Sequence, residues 1–399
     1  MQREPSSDEH VILCLNSGSS SLKFALYCLG EVEETLLARG AVERIGLSDG
    51  RLWIKGKEND RLVDVHRDFP DFTASAEGIS GAARGLGFPS PVAAGHRVVH
   101  GGPNHSSSER VDESLLAELR RLVPFAPLHL PSAIRGIEAV KARFPGMPQV
   151  ACFDTAFHRS MPEVAQRFPL SRDLWDEGVR RYGFHGLSYE YIVATLGAAA
   201  RGRLVIAHLG NGASLAAVLN GRPLDTTMGF TPTGGLMMGT RSGDLDPGVL
   251  LHLMREKRYD WNRIDELVNY EAGLLGMSGI SSDMRTLLEQ RHRSPHAAQS
   301  VELFCYQLRK HIGAMVAVLG GLDTLVFTGG IGENAAAVRW EVCSGLAYLG
   351  ISLDAQKNAA HADIISVPGS DCTVRVIRTN EDLMIARHTR ALLFSTVTR

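Results

Sequence analysis

The segment His208 to Asp244, HLGNGASLAAVLNGRPLDTTMGFTPTGGLMMGTRSGD, concentrates residues whose types suit anion chemistry. It opens after the apolar run Leu204 to Ala207, which reads as a buried strand, and breaks at once into Gly210-Asn211-Gly212-Ala213-Ser214. Small residues leave backbone N–H groups uncovered, and such a turn can wrap a phosphate because no side chain holds the anion away. Further on, Gly239-Thr240-Arg241-Ser242-Gly243-Asp244 surrounds one cation with little bulk, a setting for a planar, bidentate grip on a phosphoryl group. A lone glycine turn is first of all an ordinary turn; the recurrence of similar loops elsewhere in the chain shifts the balance toward phosphate.

These loops need elements to hold them. Val11 to Leu15 reads as a strand that runs into Asn16-Ser17-Gly18-Ser19-Ser20-Ser21, and Leu22 to Leu29 as its partner, so the turn is a hydroxyl-rich hairpin with Lys23 on a strand rather than a strand-to-helix P-loop. Residues 31 to 75 alternate loosely, as further edge strands do. Gly95-His96-Arg97-Val98-Val99-His100-Gly101-Gly102 places an arginine and two histidines around a β-branched pair. Helices are expected over about Asp112 to Leu122, Pro131 to Val140 and Val301 to Leu319, the last stopped by Gly320-Gly321, with Leu128 and His129 in a loop between the first two. Val150 to Phe153 reads as a strand whose carboxyl end carries Asp154, where ligands of open α/β sheets collect. Ser188, after Tyr182-Gly183-Phe184-His185-Gly186, is the expected N-cap of a helix through Leu196. Leu325 to Phe327 is a strand, Thr328 to Asn334 its glycine turn, Val374 to Ile377 a strand ending in Thr379-Asn380-Glu381-Asp382, and a closing helix covers about Leu383 to Leu393. An apolar strand into a small-residue turn thus occurs twice, which suggests two related α/β halves.

Composition bounds the rest. The 399 residues are 44% hydrophobic with a formal net charge of -2, enough for two ordinary domains and without the basic block that a nucleic-acid partner calls for. Six scattered cysteines suit reduced core thiols in the cytoplasm. The polar start MQREPSSDEH lacks the apolar core of a signal peptide, and no run reaches membrane-spanning length.

The stretches NSGSSSLKF, GHRVVHGG, FDTAFH, YGFHG, HLGNGAS, DTTMGFTP, MGTRSGDLDPG, GLLGMSGISSDMR, FTGGIGEN and TNED, running from Asn16 to Asp382, resemble the acetate kinase family of the actin, sugar-kinase and Hsp70 superfamily. The resemblance implies an α/β fold of two duplicated actin-like (ribonuclease H-like) domains with a cleft between them, residues 1–154 with 382–399 forming one and 155–381 the other, usually as a homodimer. It implies reversible transfer of the ATP γ-phosphoryl group to acetate with Mg2+, or Mn2+ in its place, giving acetyl phosphate and ADP; propionate or another short-chain carboxylate is the alternative acceptor. A sugar kinase or an ATP-driven binding protein of the same superfamily would carry similar loops.

By the same resemblance, Arg97 holds the acceptor carboxylate, Arg241 and His185 stabilise the transition state, and Asp154 completes the catalytic set. Val99, Leu128, Phe184 and Pro232 line the alkyl pocket, with Val99 resembling the acetate form. Lys23 and His208, Leu209, Gly210, Asn211 and Gly212 cradle the phosphates. Asp283, Met284, Arg285 and Gly330, Ile331, Gly332, Glu333 and Asn334 surround the adenosine. Asn16 and Glu381, the latter read as ending a strand, face the metal together with Asp154; His129 and His158 stand second to these. An already ionised carboxylate acceptor has no proton to give up, so Asp154 is better suited to positioning through water than to proton transfer. Two departures from the family pattern stand out: Leu187-Ser188-Tyr189 where Thr-Ser-His is usual, and Thr233-Gly234-Gly235 where Leu-Glu-Gly follows Thr-Pro.

Overall fold

The structure, a computed structural model, describes residues 9–30 and 33–394. The reading of the N-terminal segment as no signal peptide therefore lies, apart from Glu9 and His10, outside the described residues, as do Glu31 and Val32 of the expected edge strands. The chain forms two compact units, one of residues 1–157 with 380–399 and the other of residues 158–379.

The first unit is built on strands β1 (His10–Ser17), β2 (Ser21–Leu29), β3 (Glu34–Glu43), β4 (Arg51–Gly56), β5 (Arg61–His66), β6 (Ala93–Val98), β7 (Glu109–Arg110) and β8 (Gln149–Phe153), in the order β5-β4-β3-β2-β1-β6-β8-β7. The second holds β9 (Arg203–Leu209), β10 (Ala213–Leu219), β11 (Arg222–Thr226), β12 (Thr324–Thr328) and β13 (Thr373–Val376), in the order β11-β10-β9-β12-β13. In each, an antiparallel three-strand meander continues through its first strand into two parallel strands: β3-β2-β1-β6-β8 matches β11-β10-β9-β12-β13 in order and in every strand direction. The meanders follow from short turns, and the parallel pairs from helical crossovers.

Helices supply the crossovers. In the first unit, Phe72–Gly85 and Leu130–Arg143 cover one face of the sheet, where Leu13, Leu15, Phe24 and Leu26 meet Phe72, Ile79 and Val140. Glu113–Arg121, capped by Asp112, packs with Leu130–Arg143 over Val98 and Phe153. The helix Glu381–Phe394 also belongs to this unit and buries Met384, Ile385, Ala386 and Thr389. It lies so close to β6 that a methyl group on Gly95 would stand 2.3 Å from Thr389 Oγ1 and 2.5 Å from Ile385 Cγ2. The glycine is there because another backbone element needs its space. In the second unit the long helix runs Pro295–Leu319, with Ser294 accepting from Ala297 N at its start and Gly320 ending it at φ 70°.

Three expected elements differ. His185, not Ser188, is the N-cap position of the helix Gly186–Leu196; it sits at φ 60°, ψ 25°, and Ser188 lies inside the first turn with its hydroxyl committed elsewhere. Residues Gly329–Asn334 form a short helix rather than a plain turn, entered from extended Thr328 through Gly329 at φ 75°. Glu381 opens the last helix instead of ending a strand; β13 stops at Val376.

Candidate active site

In the first unit, Arg97 stands near the end of β6 and Asp154 follows the neighbouring β8, in register because Val98 pairs with Phe153. Arg97 Nε donates to both carboxylate oxygens of Asp154 at 3.1 and 3.0 Å, Nη2 donates to Oδ2 at 2.5 Å, and Glu381 Oε2 lies 3.6 Å from Nε. Burial disfavours the charged form of Arg97, but Asp154, Glu381 and Asp382 outweigh it and hold the guanidinium firmly protonated. The Asp154 side chain is 1% exposed, and this pair stabilises its charge. Asp382, next to Glu381, is pushed up to about 6 by burial and by Glu381, against the pull of Arg97, Lys23 and Arg39.

The β1–β2 hairpin brings Asn16 opposite Lys23, whose side chain is exposed. Val99 and Leu128 are half-buried in this unit, in the bend after β6 and the turn before Leu130–Arg143. His129 occupies the N-cap position of that helix without a side-chain cap bond. Among the described residues, no group of three or more His, Cys, Asp or Glu could hold a metal ion. Asn16 and Glu381, with Asp154 already gripped by Arg97, offer a sparse oxygen set, and it fits Mg2+, which keeps waters and borrows phosphate oxygens.

In the second unit the anion-directed side chains converge on the β9–β10 turn. Gly210 N donates to Gly212 O at 2.9 Å, closing a hairpin in which Leu209 pairs with Ala213. A methyl group built on Gly212 would lie 3.4 Å from His185 Nε2 and 3.5 Å from Arg241 Nη1, and one on Gly210 would lie 3.9 Å from His208 Nε2. Two imidazoles and a guanidinium thus face one bare turn. The rings of His185 and His208 stack with centroids 4.1 Å apart. Arg241 Nη1 donates to Pro232 O at 2.8 Å, which fixes the head group and places Pro232 beside it. Its backbone is braced: Met238 N donates to Arg241 O, Leu274 N to Met238 O and Leu275 N to Gly239 O at 2.8–3.1 Å.

Beside this turn lies a cavity of about 530 Å³. Gly210 and Asn211 of the hairpin line it with Asp283, Met284, Arg285, Gly330, Ile331 and Asn334, so three separated motifs share one wall. Asp283 is itself the cap of the helix Met284–Gln290. Glu333 turns inward, its Oε1 accepting from Gly329 N at 3.0 Å and Thr379 N at 3.2 Å, and Gly332 is buried. Phe184 is buried too, and its carbonyl accepts from His158 Nε2 at 3.0 Å. Burial pushes His158 down to about 4, the mark of a neutral structural histidine.

Sequence reasoning passed over three side chains that the structure brings forward. Ser214 joins His185 Nδ1 to Tyr189, Thr379 reaches His208 through Ser188, and the buried Arg339 donates to Gly332 O, Glu333 O and Asn358 so that the glycine helix is held from behind. Ser214 and Thr379 were visible only as members of GNGAS and TNED; Arg339 carries no local signal, since its partners are fixed only once the glycine helix and Asn358 are folded against it.

A repeated sheet of this order, each copy bearing charged side chains at the ends of its central strands, defines a duplicated actin-like α/β protein. Residues 11–387 match the model of the acetokinase family, and the chain belongs to that family. It is 47% identical to an acetate kinase of Rhodopseudomonas palustris, the match covering 95% of this chain and 97% of the relative. It is 43% identical to a propionate kinase of Citrobacter rodentium over 95% and 96% of the two chains. Among solved structures, the Porphyromonas gingivalis acetate kinase superposes with a TM-score of 0.88 at 39% identity, covering 96% of this chain and all of that one. A propionate kinase from Francisella tularensis gives 0.90 at 35% identity, over 96% and 99%.

Proposed function

We propose that this protein is an acetate kinase, transferring the γ-phosphoryl group of ATP to acetate reversibly to give acetyl phosphate and ADP. The observation that carries this is the convergence of His185 Nε2 and Arg241 Nη1 on the Gly212 turn, next to a cavity of nucleotide size. Phosphoryl transfer asks little covalent chemistry of a protein and much alignment and charge stabilisation, and cationic or N–H donors around an uncovered turn supply that.

In this assignment the second unit handles the donor. The turn Leu209 to Gly212 and His208 take the phosphate chain, and Asp283, Met284, Arg285 and the helix Gly330 to Asn334 take the adenosine. His185 and Arg241 donate to the equatorial oxygens as charge develops. The first unit handles the acceptor: Arg97 keeps Nη1 for a carboxylate, while Asp154 fixes its other edge, which fits positioning better than proton transfer. Val99 and Leu128 set the alkyl length there. Asn16 and Glu381 would hold Mg2+, which neutralises phosphate charge when bound, and Lys23 would meet the phosphates.

Propionate or another short-chain carboxylate is the second acceptor, because relatives bearing both names match this chain at similar identity. A cytoplasmic setting is supported by six free thiols, and a homodimer by the exposed Val249, Leu251, Met254 and Trp261. No helix among the described residues is long and apolar enough to cross a membrane. The test is acyl hydroxamate formation with ATP, Mg2+ and acetate, propionate or butyrate. Acetate is expected to be the best acceptor, and no hydroxamate from any of the three rejects the assignment.

A further inference from the structure

Both stacked histidines are tied at Nδ1 to a serine, and each serine to a second hydroxyl. Ser214 Oγ lies 2.9 Å from His185 Nδ1 and 2.5 Å from Tyr189 Oη. Ser188 Oγ lies 2.8 Å from His208 Nδ1 and accepts from Thr379 Oγ1 at 2.8 Å. Ser188, Tyr189 and Ser214 are fully buried.

Each chain can pass its protons toward the ring. Ser188, accepting from Thr379, has its one proton left to give to His208 Nδ1. Tyr189 is held well above the ordinary phenol range by burial and keeps a proton that it can give to Ser214 Oγ, 2.5 Å away. In that direction Ser214 donates onward to His185 Nδ1. An imidazole that accepts at Nδ1 carries its proton at Nε2, the atom facing the Gly210–Gly212 turn in both rings. Two neutral rings also stack at 4.1 Å without the repulsion that two imidazoliums would meet. Tyr189 stands at one of the departures from the family motif, where histidine is usual.

We propose that Tyr189 and Ser214 are positioning residues for His185, holding it as the Nδ1-accepting, Nε2–H tautomer that donates into the Gly210–Gly212 turn. That a phosphoryl oxygen receives this N–H rests on the kinase assignment; the tautomer does not.

The full-length protein labelled with 15N-histidine tests this by long-range proton–nitrogen correlation, the His185 signals being assigned by their loss in His185→Gln. Wild type is expected to show an unprotonated Nδ1 and a protonated Nε2 at His185. Tyr189→Phe removes one oxygen and frees the Ser214 proton, so the Nδ1–H form appears; Ser214→Ala increases it, and Ser214→Thr, which keeps a hydroxyl, restores the original pattern. Turnover is expected to fall about tenfold in Tyr189→Phe and about a hundredfold in Ser214→Ala, with KM for ATP and the thermal midpoint nearly unchanged. A wild-type His185 protonated at Nδ1, or the same tautomer in both variants, overturns the proposal. Absence of hydroxamate from the wild type would reject the kinase assignment alone, since the nitrogen spectrum is read without turnover.

Discussion

Arg97 spends two of its three nitrogens on Asp154, and among the described residues its Nη1 makes no hydrogen bond. The motif alone leads one to expect that Arg97→Ala costs turnover and leaves the fold intact. The pair says otherwise, because truncation takes a guanidinium away from a buried carboxylate. We expect Arg97→Ala to lose about 3 to 5 kcal/mol of stability as well as activity. Asp154→Asn should cost less stability than Arg97→Ala, since no bare charge remains. Denaturant unfolding of both variants measures the difference, and equal, near-zero losses would show the pair to be idle.

Arg241 donates to the Pro232 carbonyl and stands on a braced backbone. Arg241→Ala should lower kcat roughly a thousandfold while moving the thermal midpoint little. Arg241→Lys should recover little of it, because a point charge does not reproduce the planar fork. Turnover within tenfold of wild type in Arg241→Ala would remove its role.

Gly212 offers a sharper probe. Its added methyl would sit at ordinary contact distance, 3.4–3.5 Å, from His185 and Arg241, so the chain can accommodate it. The same methyl occupies the space that an anion needs. Gly212→Ala is therefore expected to fold normally and to lose roughly a hundredfold in turnover. Unchanged kinetics in a well-folded variant would place the reacting group elsewhere.

Acid should weaken the fold through two histidines unrelated to the proposed chemistry. Burial pushes His96 and His158 each down to about 4, with Gln149 and the Phe184 carbonyl pulling only weakly the other way. Each imidazole binds a proton in the unfolded chain below about 6.5, but in the folded one only below about 4. Stability is thus fully present above pH 6.5 and declines as pH falls toward 4, by up to about 3 kcal/mol per histidine. Thermal midpoints across that window should flatten when His96 is replaced by Gln; an unchanged slope would contradict it.

The acceptor pocket admits a milder test. Val99 is half-buried after β6, and trimming it to alanine should raise the propionate-to-acetate ratio of kcat/KM about tenfold, within what a methylene is worth. No change in that ratio would mean that Val99 does not border the acyl group.

What could be read from the chain beforehand was whatever is fixed by neighbours in sequence. The Asn16–Ser20 hairpin, the strand ahead of Asp154 and the long helix with its Gly320 stop follow from alternation, helical spacing and turn residues, and they stand in the structure. Ser188 looked like a cap because it precedes an apolar stretch, yet His185 in the left-handed region starts that helix earlier and frees the serine for His208. Glu381 looked like a strand end because apolar residues precede it; its capacity to open a helix shows only once β13 stops short. The roles of Arg339 and Thr379 escaped notice for a related reason, their partners lying 6 to 191 residues away.

The helix Glu381–Phe394 covers a sheet whose strands all lie within the first 153 residues. On the ribosome, that sheet must wait, one flank bare to water, while more than two hundred further residues are added and the second unit has time to fold. The segment that the earliest-made half needs is therefore made long after it, and nascent chains stalled before that segment should be the ones that chaperones hold.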